Sequence, residues 1–202
     1  VTKPLAAVRA HLRSHFTGPG AEAEPDTASV TFLGAEPIEV LRFRSGVGDM
    51  VHYVSVGCSR HPMTDPTDIQ ADSLLGPRAE VVLRLRHRGP LNGVPRSLAV
   101  LAATPAVEGV VLTADALIDL GSPLWSGRAG PAPFTAVLLS DSDIPDLALP
   151  PPRDPVRFLS ATPITATEAA WVRLKGADAM RQAWQADGVD VLDPNRPAVQ
   201  PD

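Results

Sequence analysis

The sequence predicts an α+β fold, with a mixed, largely antiparallel central sheet flanked by helices. Three observations predict it. Short runs rich in β-branched residues lie close together between residues 28 and 56, separated by Gly- and Pro-containing turns, which reads as hairpin-joined strands. Helical periodicity is confined to separate stretches near residues 4–16, 94–107 and 165–186. Finally, Thr165-Ala166-Thr167-Glu168 has capping-box spacing, in which a hydroxyl and a carboxylate satisfy the free amides of a helix start.

Along the chain, Pro4 to Phe16 predicts a helix: Pro4 suits the first turn, and Leu5, Val8, Leu12 and Phe16 share a face. A polar loop, Gly18 to Thr27, follows. Strands are predicted at Ala28–Leu33, Ile38–Phe43 and Met50–Val56, the third apolar on both faces and therefore central. Gly57 to Pro77 is a loop too long for a routine connection, so it is functional or packed down by its own side chains. Arg78 to Arg86 is a strand in which Val81, Leu83 and Leu85 face one way and Glu80, Val82, Arg84 and Arg86 the other. That alternation predicts one solvated face.

Val94 to Val107 is a helix that Pro105 should end or kink. Val110 to Leu120 fits a strand or a short helix, and Ser122 to Pro133 a loop. Phe134 to Ser140 is a strand ended by Asp141, and Asp141 to Pro152 is an acidic, Pro-rich loop. Val156 to Ala161 is the last strand. A helix carrying Trp171 and Leu174 starts at the capping box, and Ala177 to Ala186 continues or restarts it, with Trp171 and Trp184 at core-like positions. The domain is expected to span residues 1–192, with a flexible polar tail at 193–202.

Composition narrows the function classes. A chain of 202 residues that is 44% hydrophobic can build a core without disulfides or metal. The net charge of −5 and 4% aromatic content provide poorly for phosphate attraction or base stacking, so nucleic acid is not an expected partner. The single cysteine, Cys58, has no internal disulfide partner and fits a reducing, cytoplasmic setting. No apolar run reaches the ~18 residues of a membrane span.

The densest cluster of reactive residues is Gly57-Cys58-Ser59-Arg60-His61, with His52 and Asp65 nearby. A serine elbow needs Gly two residues after the nucleophile, where His61 stands. A thiolate needs an oriented histidine, and one Cys with two His lacks zinc spacing. The plain reading makes Cys58 a buried hydrophobe and Ser59 and Arg60 turn-formers. A hydrolase or transferase using Cys58, Ser59 or His61 is the alternative. Gly46-Val47-Gly48 lacks a third glycine, since Val51 follows, and reads as a hairpin turn rather than a dinucleotide loop. No cofactor or metal is expected. In particular, a calcium loop counted from Asp141 fails at Asp146 and Pro152.

Three features could meet another protein. Arg84, Arg86 and Arg88, with His87, form a basic stripe. Asp141, Asp143, Asp146 and Asp154 form an acidic loop that suits a cationic partner. Trp125, in a Gly/Pro loop, is either an anchor onto the core or an exposed hot spot. The candidate partner contacts are therefore Asp141, Asp143, Asp146, Arg84, Arg86 and Trp125.

The order of segments resembles suppressor-of-fused domain proteins. His52-Tyr53-Val54-Ser55-Val56-Gly57-Cys58-Ser59 is similar to the family's strand-and-turn signature, and Ala79 to Arg86 to the acidic-then-apolar strand that follows. Val94 to Ala103, Phe134 to Leu139, Val156 to Leu159, Pro163-Ile164-Thr165 with Glu168, and Gly176 resemble later segments, so the likeness covers Met50 to Val191. Cys58, where the family often has a larger apolar residue, and the Pro-rich 141–155 loop depart from it. The resemblance implies a mixed sheet flanked by helices, no enzymatic activity and a protein partner. Eukaryotic members restrain a transcription factor and carry a second domain. Short bacterial members stand alone, some proposed as immunity proteins that neutralise toxins. A toxin or a regulated protein is thus the partner class the resemblance implies, and a homo-oligomer is a further reading.

Overall fold

The computed structural model describes residues 4–17, 24–68 and 72–199. Residues 1–3, 18–23 of the predicted polar loop, 69–71 of the long loop and 200–202 of the predicted tail lie outside the described residues.

Helix α1 runs over Pro4–Phe16, as its apolar face predicts. Strands β1 (Asp26–Val30), β2 (Ile38–Arg44) and β3 (Met50–Val56) form an antiparallel meander that β4 (Arg78–Arg86) extends. Helix α2 (Val94–Glu108) follows, then the short edge strand β5 (Leu117–Asp119) within the ambiguous 110–120 stretch. The predicted 122–133 loop folds into a two-stranded ribbon, β6 (Ser126–Gly127) with β7 (Gly130–Pro131). Strands β8 (Phe134–Asp141) and β9 (Val156–Thr165) then return to the main sheet, and α3 (Ala166–Lys175) and α4 (Ala177–Ala186) close the chain's helical part.

The main sheet has seven strands in the order β1-β2-β3-β4-β9-β8-β5. Every pair is antiparallel except β4 with β9, which run parallel. This is the predicted mixed, mostly antiparallel sheet. β9 runs four residues past its expected end at Ala161, through Pro163. The stretch paired with β4 ends at Ser160, so Pro163 has an edge position, where a missing N–H is tolerated.

Three apolar clusters hold the layers together. Leu98, Leu101 and Ala102 of α2 pack on one face with Val51, Tyr53, Val81 and Leu83. Val8 and Leu12 of α1, with Ile144 and Leu149, cover Leu41, Val54, Val82 and Phe158 on the other. Met180 and Trp184 of α4 pack with Ala136, Leu138 and Ile164. Two expectations change as a result. β4 has no solvated face along most of its length: α1 and the segment after β8 cover the side assigned to water, and Glu80 and Val82 are fully buried. Pro105 does not end α2, which continues to Glu108. A proline at 105 leaves the Leu101 carbonyl without its i+4 amide, and the Thr104 hydroxyl donates to that carbonyl instead, at 2.8 Å.

Candidate functional site

The strand-and-turn segment after β3 is built around Glu80. The β3–β4 ladder stops at Val54 opposite Val82, and the Ser55 hydroxyl takes over, accepting from the Val81 amide at 2.9 Å. Ser55 Oγ donates to Glu80 Oε2 at 2.5 Å. Glu80 Oε1 accepts from Gly57 N at 2.8 Å, Ser59 N at 3.0 Å and Ser59 Oγ at 2.6 Å. Burial pushes the Glu80 carboxyl up from its ordinary value, and these four neutral donors offset that only in part. Gly57 is required twice over: its φ is +148°, and a Cβ there would lie 2.8 Å from Ile38 Cδ1.

The turn continues into a short 3-10 helix, Cys58–Arg60. Arg78, 2% exposed, ties down its end. The guanidinium donates to Ser59 O at 2.9 Å, Arg60 O at 3.0 Å and Leu74 O at 3.2 Å. One buried cation thus ties Ser59 and Arg60, near the start of the long loop, to Leu74 near its end. Sequence reasoning missed Glu80 and Arg78 because a two-residue period cannot report a second covering layer. The signal was present as Ser55-x-Gly57-x-Ser59, three donors ahead of an acidic residue that opens the next strand.

Beside this turn lies a cleft of about 410 Å³, walled by Gly34–Glu36, Cys58, Arg60–Pro62 and, from α2, Ala102, Ala103, Pro105 and Ala106. Of the reactive types of the sequence, Cys58, Arg60 and His61 line it; Ser59 and His52 do not. The Cys58 thiol is buried, and burial, with Glu80 adding to it, pushes it well above its ordinary value. Ser59 Oγ gives its proton to Glu80. His61 Nε2 meets Glu36 Oε2 at 2.7 Å, and His52 Nδ1 accepts from Arg84 Nε at 3.0 Å. Burial first, then the Arg84 charge, lowers His52 to about 4. Among the described residues no histidine ring is hydrogen-bonded to Cys58 or Ser59, so the alternative cluster is not an assembled nucleophile–base pair. Asp65 closes a turn onto Thr67, and Gly46-Val47-Gly48 lies in the β2–β3 hairpin. Among the described residues no three His, Cys, Asp or Glu side chains are grouped so as to hold a metal ion, and no helix is long and apolar enough to cross a membrane.

The candidate partner contacts do not form one patch. Arg84 pairs with Asp143, Arg86 with Asp190 and Asp141 with Arg157. Arg84, Arg86, Asp141 and Asp143 are therefore paired within the chain; Asp146 is exposed, without an ion pair among the described residues. Trp125 is a correction: at 3% exposure it packs on Phe134, 5.3 Å between rings, and is a core anchor rather than an exposed hot spot. Its loop folds inward because the Trp125 carbonyl accepts from Ala132 N and the Leu124 amide donates to Phe134 O.

A second buried carboxylate organises the C-terminal part. Thr165 caps α3 and the capping box with Glu168 is complete. Glu168 also accepts from Trp184 Nε1 at 2.9 Å and from both Arg196 Nη atoms at 3.0 Å. Burial pushes this carboxyl up, but hydrogen bonds from Arg196, the Thr165 amide and Trp184 outweigh it and hold it low. Arg196 and Val199 are buried. The expected flexible tail is thus corrected for residues 193–199: the Arg196 cation lies against Phe134 and Trp184 and donates to Pro163 O.

The fold and sequence have known counterparts. The sequence profile of suppressor of fused protein (SUFU) matches residues 34–197. A search of curated protein sequences finds no match. Among solved structures, a proposed SUFU homolog from Neisseria gonorrhoeae FA 1090 is similar with a TM-score of 0.61 at 18% identity, covering 97% of this chain and 96% of that one. A chain of a Sufu-Fu complex is similar with a TM-score of 0.67 at 14% identity, covering 96% of this chain and 91% of that one. Drosophila Suppressor of Fused is similar with a TM-score of 0.66 at 14% identity; 98% of this chain is covered but 51% of that one. The quoted signature segments converge on Glu80 and Glu168, and with the profile spanning both, this chain belongs to the suppressor of fused protein (SUFU) family.

Proposed function

We propose that this chain is a non-enzymatic protein-binding module whose contact surface is the cleft beside Gly57–Pro62 and its apolar rim. One observation carries the choice of surface. Among the described residues six large hydrophobics are exposed, and four of them, Leu33, Leu74, Leu75 and Val107, stand next in the chain to residues that line this cleft or touch its wall. Leu33 precedes Gly34 and Val107 follows Ala106, both in the cleft wall. Leu74 and Leu75 precede Gly76, which lies against Pro62. Clustered exposed apolar side chains around a concavity are what a partner's side chains bury. The similarity to a chain of a Sufu-Fu complex supports a protein as the ligand. Two specific forms of this reading are an immunity protein that neutralises a toxin and a regulatory binding protein, each in the cytoplasm, where Cys58 stays reduced.

The test is affinity capture from the native host, with mass spectrometry, of the tagged protein and of a Leu33→Asp/Val107→Asp variant. Wild type is expected to retain one protein, and the variant to lose about tenfold or more in affinity at an unchanged unfolding midpoint. No partner above background, or equal capture by the variant, defeats this reading. Light scattering on the same samples shows whether a second copy covers the rim instead.

A further inference from the structure

At the far end of the sheet the β2–β3 hairpin and the end of β4 enclose a second cleft of about 310 Å³, lined by Arg44, Ser45, Gly46, Asp49–Val51, His87 and Arg88. Its charges are unevenly matched. Among the described residues Asp49 is the one acid in the lining, and it is engaged by Arg88 Nε at 2.5 Å. On the same strand as Arg44, Arg42 is held by Asp26, and on β4 Arg86 is held by Asp190. Arg44 differs. It is half-buried in the cleft wall, yet among the described residues its guanidinium makes no ion pair and no side-chain hydrogen bond.

His87 does not compensate it. Its Nδ1 donates to the Gly89 carbonyl at 2.8 Å, and its Nε2 shares a hydrogen bond with the Tyr53 hydroxyl at 3.0 Å. Burial first, with the nearby Arg44 and Arg42 charges, lowers the ring from its ordinary value against the opposing hydrogen bond to Gly89. A half-buried guanidinium with its planar fork open to a cleft matches a carboxylate, which it can bind through two parallel hydrogen bonds. Val47, next in the chain to Gly46 of the lining, is exposed at the hairpin tip.

We infer that this cleft is a subsite for an acidic segment of the protein partner, with Arg44 taking one of its carboxylates. The inference rests on the protein-binding reading above and adds the partner's chemistry: a peptide segment bearing Asp or Glu. The acidic net charge of the whole chain, −5, does not oppose it, because contact is decided by the local unpaired cation and distant surface charges are screened over about 8 Å at physiological salt.

The experiment titrates the 15N-labelled protein with an N-acetylated hexa-aspartate amide, and separately with the hexa-lysine peptide and with inorganic phosphate. The aspartate peptide is expected to shift the amides of Ser45, Gly46, Asp49 and Arg88 saturably. Arg44→Ala should weaken it about tenfold, Arg44→Lys by less, and the control Arg96→Ala, at an exposed arginine on α2, not at all. Absence of saturable shifts, equal binding by Arg44→Ala, or equal binding of the lysine peptide overturns the inference. Equal occupancy by phosphate also overturns it, in favour of a general anion site. Because the probe is synthetic, a failed titration leaves the capture experiment standing, and a failed capture leaves the titration readable.

Discussion

Glu80 and Glu168 are both carboxylates with 0% exposure, and each organises one of the segments that mark the family, yet they are satisfied in opposite ways. Glu80 is surrounded by neutral donors supplied locally by the turn after β3. Glu168 is paired with the Arg196 cation, which arrives from 28 residues further along. The first carboxyl is consequently pushed up and the second held down. Burial raises both; at Glu168 the hydrogen bonds from Arg196, the Thr165 amide and Trp184, with the Arg196 charge behind them, outweigh it, and at Glu80 the neutral donors do not. Glu80 fixes the turn that carries Cys58 and Arg60 into the wall of the neighbouring cleft.

Breaking the charged hub should have the largest effect. Arg196→Ala leaves the Glu168 carboxylate buried and uncompensated, which costs about 3–5 kcal/mol, read from the urea unfolding midpoint. Adding Glu168→Gln to that variant should recover much of the loss; no recovery would show that Arg196 acts through its packing on Phe134 and Trp184 instead.

The neutral hub should be more tolerant. Glu80→Leu strands the buried Gly57 and Ser59 amides and two hydroxyls, at a cost on the order of 2–4 kcal/mol. Glu80→Gln keeps one acceptor oxygen for those amides and can donate to Ser55, so its cost should be about 1 kcal/mol. If Glu80→Gln costs as much as Glu80→Leu, the site needs a negative charge and the contrast with Glu168 fails.

The smallest and most discriminating effect lies in the pH dependence. Glu168, held below its ordinary value of 4.5, contributes stability that is present above that value and lost as pH falls through the lowered folded one. Glu80, raised above 4.5, contributes stability present below that value and lost as pH rises through the raised folded one. Urea midpoints from about pH 3 to about pH 8 should therefore lose part of their acid limb in Glu168→Gln and part of their decline above the carboxylate range in Glu80→Gln. Parallel profiles in both variants would remove the distinction.

Local pattern made much of the scaffold legible. The limits of α1, β3 and β4, and the capping box at Thr165 and Glu168, could be read from short-range signals: side-chain period, a proline at a helix start, a hydroxyl three residues before a carboxylate. The site was less legible. Glu80 alternates with Val81 as a wet-face residue would, and only α1 with the segment after β8 hides that face. Arg84 and Asp143 were singled out separately as surface charges, and the fold makes them each other's partner.

The sequence by itself therefore determined the elements, the α+β class, and the donors and acceptors that each segment carries. These depend on steric preferences and hydrogen-bond spacing within a few residues. Tertiary structure decided which carboxylate meets a cation, that Trp125 and Arg196 turn inward, and that β4 and β9 run parallel. Those outcomes depend on which distant segments share a layer, where low dielectric magnifies each pairing. The same packing left Arg44 without an ion pair among the described residues in its cleft and walled another with Cys58, Arg60 and α2, two features no local pattern contains.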